Sequence, residues 1–329
     1  MDNVLVFEET EPAFLDKLSV ILKGYNIMDC RNRNADSAAY MPIDKETALN
    51  TVIIFGNAEP GFLKRCPRLK WMQLHSAGAN RYVNGELKDD VLLTCASGIY
   101  GISVSEHMVA LTFCLLKNLH FYRDEQSKES WKRRGRQAGS IYGSVVLVIG
   151  LGDIGTGYAV RMKAMGCYVI GVRRTVHAKP DYLDEILSSE QMEEALPRAD
   201  VVALIVPGTK ETAGLISRSR LAKMKKGAII INAGRGTAID TEALCDSLES
   251  GALGGAGLDV TDPEPLPPGH RLWKMENAVI TPHEAGAPHL SMVHKIRSDF
   301  YLENASRFMR GEPLKSRVDF RTGYRIPED

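Results

Sequence analysis

The stretch VVLVIGLGDIGTGYAVRMKAMGCYVIGV, residues 145–172, decides how the chain is read. An apolar run ends at Gly150, and Gly150, Gly152 and Gly155 stand in G-x-G-x-x-G spacing. A helical pattern begins inside the motif, and a second apolar run, YVIGV, follows the turn MGC. A strand–turn–helix–strand unit of this kind seats a dinucleotide diphosphate on unpaired amides at the helix N-terminus. Gly150 then permits the tight turn, Gly152 the close approach of the diphosphate, and Gly155 the packing of helix on strand. Asp153 and Ile154, which complete the turn, join them as cofactor contacts.

About twenty residues past the first glycine such a unit usually carries an acid, which binds the adenosine ribose and repels a 2′-phosphate. Here the strand runs into GVRRT, residues 171–175. Arg173 and Arg174 remove the repulsion and offer donors suited to phosphate, and Thr175 adds a hydroxyl. The reading favours NADP(H); NAD(H) is the alternative if both arginines point into solvent.

Around this unit lie further strand candidates: SVVLVIG (144–150), CYVIGV (167–172), DVVALIV (200–206), GAIIINA (227–233), GGAGLDV (254–260) and NAVIT (277–281). With intervening helices they make a doubly wound nucleotide-binding sheet. The first hundred residues hold a second set, NVLVF (3–7), TVIIFG (51–56), WMQLHS (71–76) and VLLT (91–94), with a helix in 11–24. Alternating strands and helices imply parallel sheets covered on both faces. A helix is expected over SVSEHMVALTFCLLKNL (103–119), and RDEQSKESWKRRGRQ (123–137) reads as a solvated helix face and loop. PHLSMVHKIRSDFYLENASRFMRG (288–311) is helical, and RVDFRTGYRIPED (317–329) is read as irregular.

The chain's 329 residues suit two domains. Its 44% hydrophobic and 25% charged residues are those of a globular protein. Charge balance, 41 basic against 41 acidic residues, argues against nucleic acid or an anionic membrane as partner. Cys30, Cys66, Cys95, Cys114, Cys167 and Cys245 form no C-x-x-C pair and read as reduced thiols of a cytoplasmic protein. The N-terminus lacks a signal-peptide pattern, and no apolar run approaches the roughly 18–20 residues of a membrane span.

Three motifs place charged groups where strands of the nucleotide sheet stop, the edge at which open α/β sheets bind ligands. INAGRG (231–236) carries Arg235, GLDVTDPEPLP (257–267) carries Asp259 and Glu264, and VITPHEAG (279–286) carries His283. Together they suit hydride transfer involving a small 2-oxo or 2-hydroxy acid. Arg235 offers the planar, bidentate cation a carboxylate needs. His283 is the natural proton donor to the carbonyl. Glu264 favours the imidazolium and orients it.

With these residues in place the chain resembles the D-isomer-specific 2-hydroxyacid dehydrogenases, a family that includes glyoxylate and hydroxypyruvate reductases. The likeness runs nearly end to end through QLHSAGAN (73–80), VSEHMVAL (104–111), VIGLGDIG (148–155), VPGTKETAGLI (206–216), INAGRG, LDVTDPEP, LWKMENAVITPH (272–283) and VDFRTGY (318–324). It implies two Rossmann-like, doubly wound parallel-sheet domains with an interdomain cleft that closes on ligand. The substrate domain would comprise 1–99 with 290–329, and the dinucleotide-binding domain 100–289. It also implies that Arg235, Glu264 and His283 are catalytic, and that the amides of Ala77 and Gly78 hold the substrate carboxylate. Asp259 would contact the nicotinamide carboxamide, with Pro207 and Thr209 near the adenosine ribose and Ala233 beside the cofactor. A homodimer joined through a segment near 100–140 is implied in the same way.

SGIYG (97–101) departs from the family's asparagine-containing form, leaving Tyr100 as a candidate substrate contact. Glu284 replaces a small or apolar residue and is expected in solvent. Formate dehydrogenases carry an amide where Glu264 stands, which argues against formate. Phosphite dehydrogenases keep the Arg–Glu–His set, as do nucleotide-sensing corepressors on the same fold, so both remain alternatives.

Overall fold

The computed structural model describes residues 1–8, 11–31, 41–83, 85, 87–88, 90–134, 139–176 and 178–326. They fall into two compact units, Met1–Ile99 with Pro288–Asp329, and Tyr100–Ala287.

In the first unit, strands β1 (Asn3–Val6), β2 (Asn26–Asp29), β3 (Thr51–Phe55), β4 (Trp71–Gln73) and β5 (Leu92–Thr94) form a parallel sheet of order β2-β1-β3-β4-β5. In the second, β6 (Val145–Ile149), β7 (Tyr168–Arg173), β8 (Glu185–Ser188), β9 (Val201–Leu204), β10 (Ile229–Asn232), β11 (Gly255–Leu258) and β12 (Ala278–Ile280) form a parallel sheet. Its order is β12-β11-β10-β9-β6-β7-β8. The tail adds a short antiparallel pair, β13 (Val318–Asp319) and β14 (Tyr324–Arg325), where the sequence reads as irregular.

The helices are α1 (Phe14–Ile21), α2 (Lys45–Leu49), α3 (Pro60–Leu63), α4 (Gly101–Leu116), α5 (Leu119–Ser127), α6 (Asp153–Ala164), α7 (Met192–Ala195), α8 (Arg218–Leu221), α9 (Thr241–Glu249) and α10 (Ser291–Arg310). The single helix expected over 103–119 is two, because Asn118 adopts a left-handed φ of 55° and ends the first. None of the described helices is long and apolar enough to cross a membrane. All six cysteines are free, and only Cys114 is not fully buried.

The strands of the second sheet divide their side chains between its faces with period two. Leu147, Ile149, Ile170, Val172, Val202, Leu204 and Ile230 pack on one side against α7 and α9 residues such as Met192, Leu244 and Leu248. Val146, Val148, Val169, Val201, Ala203, Ile229 and Ile231 pack on the other against α4 and α6. From α4 come Val104, Met108, Leu111 and Leu115, a stripe at helical spacing. A parallel sheet covered on both faces leaves only its strand ends to meet a ligand.

Candidate active site

The carboxyl edge of the second sheet is level. Leu187, Val172, Ile149, Leu204, Asn232, Leu258 and Ile280 form one continuous row of register partners across all seven strands. One residue beyond that row stand Arg173, Gly150, Ala233, Asp259 and Thr281. Backbone bonds carry the ladder past the row: Asp259 N donates to Asn232 O at 3.0 Å, and His283 N to Asp259 O at 2.9 Å. The residues singled out in the sequence thus line one edge, in strand order.

In the glycine turn each glycine has its own cause. Gly150 adopts φ 101°, and a Cβ there would stand 2.2 Å from Ile205 O. A Cβ on Gly155 would stand 1.9 Å from Gly150 O, so the helix can approach the turn only without it. A Cβ on Gly152 would meet nothing within 4 Å. The protein's own packing therefore does not demand a glycine at 152; the open space suits a ligand pressed against the backbone. Gly152 caps α6 with no side-chain cap bond, and the amides of Gly152, Ile154 and Gly155 have no backbone acceptor among the described residues. This cradle fits a dinucleotide diphosphate. The Asp153 carboxylate lies against the first turn of α4, where a Cβ on Gly101 would be 2.3 Å from both its oxygens.

Arg173 is half-buried at the end of β7, while Arg174 and Thr175 are exposed. The Glu211 carboxyl is held below its usual range, first by a hydrogen bond from the Thr209 side chain and further by the charges of Arg174 and Lys210. Arg174 therefore lies near the 207–212 loop. That loop is closed on itself: Thr212 Oγ1 donates to Pro207 O and accepts from Thr209 N at 3.0 Å.

Three loops follow β10, β11 and β12. Buried Asn232 shapes the first: its Nδ2 donates to Arg235 O at 3.0 Å, and its Oδ1 accepts from Gly234 N at 3.0 Å. Arg235 is half-buried, with Nη1 donating to Gly234 O at 2.7 Å. Glu264 and His283, from the next two loops, meet: His283 Nδ1 lies 2.5 Å from Glu264 Oε1. Both side chains are open, 49% and 42% exposed, which leaves the rest of the imidazole accessible to a substrate.

His283 adopts φ 57°, uncommon outside glycine and costing on the order of 1–3 kcal/mol. What holds it there is Asp259, only 3% exposed. Asp259 Oδ1 accepts from Thr281 Oγ1 at 2.6 Å, Glu284 N at 2.9 Å and Ala285 N at 3.1 Å, and Oδ2 lies 3.2 Å from Ala285 N. His107 Nε2, from α4, stands 3.0 Å from Thr281 Oγ1. Ser103 Oγ donates to Gly286 O at 2.8 Å, and the Tyr100 ring lies 3.4 Å from where a Gly286 Cβ would be. Helix α4 thereby braces the turn that carries His283. Glu284 is exposed. Ser103, His107 and Thr281 escaped the sequence reading because they support the site from partners far along the chain, and Asn232 because its role is local support of the Arg235 loop rather than contact with a ligand. Among the described residues no cluster could hold a metal ion.

In the first unit, Ala77 and Gly78 follow β4 in a loop tied by Asn57. His75 N donates to Asn57 Oδ1 and Asn57 Nδ2 to Ser76 Oγ, both at 3.0 Å, and Ser76 Oγ donates to Gly78 O at 2.7 Å. The Ala77 and Gly78 amides have no backbone acceptor among the described residues.

A family profile described as "D-isomer specific 2-hydroxyacid dehydrogenase, NAD binding domain" matches residues 109–285. The glyoxylate reductase of Korarchaeum cryptofilum is 30% identical over 254 residues, 75% of each chain. A D-isomer specific 2-hydroxyacid dehydrogenase family protein from Aeromonas salmonicida superposes with a TM-score of 0.80 at 28% identity, over 97% of this chain and 99% of that one. An NADPH-dependent glyoxylate/hydroxypyruvate reductase from Sinorhizobium meliloti, solved with NADP and sulfate, gives 0.79 at 25% identity, over 98% and 100%. The sheet edge, the glycine cradle and these likenesses agree: the chain belongs to the D-isomer-specific 2-hydroxyacid dehydrogenase family.

Proposed function

We propose that the chain reduces a small 2-oxo acid of the glyoxylate or hydroxypyruvate type to the 2-hydroxy acid, of D configuration where that carbon is chiral, with NADPH preferred over NADH. The observation that carries the reading is the Glu264–His283 pair, 2.5 Å apart and solvent-open, on the same level edge as the glycine cradle and Arg235. When bound, the reduced nicotinamide supplies a hydride. The protein's part is to hold the acid and move a proton. Arg235 would pair with the carboxylate, and by likeness to the family the Ala77 and Gly78 amides would also donate to it. The carbonyl oxygen becomes an alkoxide as hydride arrives, and His283 delivers the proton to it while Glu264 steadies the ring.

Gly150, Gly152, Asp153, Ile154 and Gly155 would hold the diphosphate. Pro207 and Thr209 would border the ribose, Ala233 and Asp259 the nicotinamide, and Tyr100 would contact substrate. Arg173, Arg174 and Thr175 would hold a 2′-phosphate, a reading supported by the lack of an acid at the end of β7. A homodimer joined near 100–140 is part of the proposal, by likeness to the family; residues 135–138 of that segment lie outside the described residues. So is a cytoplasmic location.

The test is a panel of glyoxylate, hydroxypyruvate, pyruvate and bulkier 2-oxo acids assayed with both reduced cofactors. Expected is turnover with kcat/KM at least roughly tenfold higher for NADPH, about 1.4 kcal/mol, reversed by Arg173→Asp. Preference for NADH in the unsubstituted protein overturns the phosphate assignment. Absence of turnover on the whole panel replaces the enzyme with a nucleotide-binding protein.

A further inference from the structure

One of the three donors on Asp259 Oδ1 is a hydroxyl with a second neighbour. Thr281 Oγ1 lies 2.6 Å from Asp259 Oδ1 and 3.0 Å from His107 Nε2. Asp259 follows β11, Thr281 follows β12 and His107 stands on α4, so three elements of the second unit meet at one oxygen. A hydroxyl has one proton to give and a carboxylate has none. Two oxygens 2.6 Å apart need a proton between them, so the Thr281 proton is committed to Asp259. What Thr281 Oγ1 offers His107 is then a lone pair, and His107 Nε2 must be the donor.

This fixes the ring. A neutral imidazole protonated only on Nδ1 would face Thr281 with a bare Nε2 and draw its proton away from Asp259. With Nε2–H donating, the bonds run in one direction, from His107 through Thr281 to the carboxylate, and each polarises the next. His107 Nε2 lies 3.8 Å from Asp259 Oδ1, too far for a direct hydrogen bond, so the hydroxyl carries the connection. Ser103, one turn earlier on the same face of α4, donates to Gly286 O at 2.8 Å. The helix therefore grips the segment 281–286 at both ends, with His283 and its φ of 57° between them.

We propose that His107 is a positioning residue for proton transfer: by donating from Nε2 it keeps the Thr281 hydroxyl on Asp259 and so holds the turn that presents His283. The proposal rests on reading His283 as the proton donor. His107 acts through Thr281 and Asp259, not on the reacting atoms. Arg235, which would hold the substrate carboxylate, stands on the separate loop after β10. The effect of His107 thus falls on the chemical step and spares substrate binding.

The tautomer is read first, by nitrogen–proton correlation NMR of the histidine rings in the protein without ligand. The spectrum is recorded at a pH where the His107 ring is neutral and assigned by comparison with His107→Leu. A proton on Nε2 is expected; a proton on Nδ1 overturns the proposal. Turnover comes second. His107→Leu should lower kcat roughly tenfold, the worth of one hydrogen bond, with KM for the 2-oxo acid unchanged. His107→Gln, whose amide can donate to the same oxygen, should recover part of the loss. Adding His107→Leu to Thr281→Val should slow turnover no further than Thr281→Val alone, because the contact it acts through is already gone. Additive losses in the double variant overturn the proposal, as does an intact kcat in His107→Leu. If kcat and KM move together and glutamine rescues nothing, His107 is a packing residue and the proposal falls. An unsubstituted protein that reduces no 2-oxo acid removes the hydride-transfer reading, and with it the role in proton transfer; the tautomer then decides separately whether His107 holds Thr281.

Discussion

Replacing Asp259 by Asn keeps the shape of the side chain and removes what holds the His283 turn. The carboxylate accepts from Thr281 Oγ1, Glu284 N and Ala285 N on Oδ1, and Ala285 N also approaches Oδ2. An amide oxygen at the Oδ1 position keeps two acceptances in weaker, neutral form, while its NH2 opposes the Ala285 amide. A hydrogen bond to a charged group contributes about 1 kcal/mol more than a neutral one, so three donors lose about 3 kcal/mol together. The φ of 57° at His283 is then no longer over-determined, and the ring leaves its productive position. Thermal unfolding of Asp259→Asn should shift down by roughly 6–12 °C. Single-turnover hydride transfer should slow about a hundredfold. Glu284→Ala, whose side chain is exposed, serves as the control and should change neither quantity. An Asp259→Asn protein that melts within about 2 °C of the parent and transfers hydride at the parent rate refutes the account of how the turn is held.

The two inner glycines should separate binding from folding. Gly152→Ala places its methyl in open space and should leave the melting temperature unchanged while weakening NADPH binding, read by fluorescence titration. Gly155→Ala puts the methyl 1.9 Å from Gly150 O and should lower stability as well. His283→Asn should cut kcat about 10²–10⁴-fold with NADPH affinity intact, and an unchanged kcat would end its acid role. Arg235→Lys should act mainly on KM, because an ammonium cannot make the paired contact. Burial pushes the Cys30, Cys66, Cys167 and Cys245 thiols from 9.0 up to about 11. The unfolded chain gives up these protons first, so their contribution is whole below pH 9 and is lost as pH rises from 9 towards 11. Urea midpoints should fall across that window; a flat profile contradicts the assignment.

The strands legible in the sequence were those buried on both faces, such as Val201–Leu204 and Ile229–Asn232, because each is a short continuous apolar run. In the two parallel sheets, the strands that the sequence did not announce, Asn26–Asp29 and Glu185–Ser188, each lie at a sheet edge. An edge strand is partly solvated and carries polar residues that blur the pattern. Of the site, Glu264, His283, Arg235 and the glycines could be named because their chemistry is written in local motifs. The bracing contacts could not, even where the residue itself, Asp259, was named. Asp259 meets Thr281, Glu284 and Ala285 more than twenty positions on, and His107 reaches Thr281 from a separate helix. Such contacts exist only once sheet order is set, and no spacing rule encodes them.

The level edge of the second sheet works as a ruler. Strands lie about 4.8 Å apart, so a ligand touching both Arg173 at the end of β7 and Asp259 after β11 must span four intervals, about 19 Å. A mononucleotide can reach one mark or the other but not both. An edge of this kind sorts ligands by length before any side chain reads their chemistry. Changing the number of strands between β7 and β11 would alter which ligand fits more than any substitution in the loops.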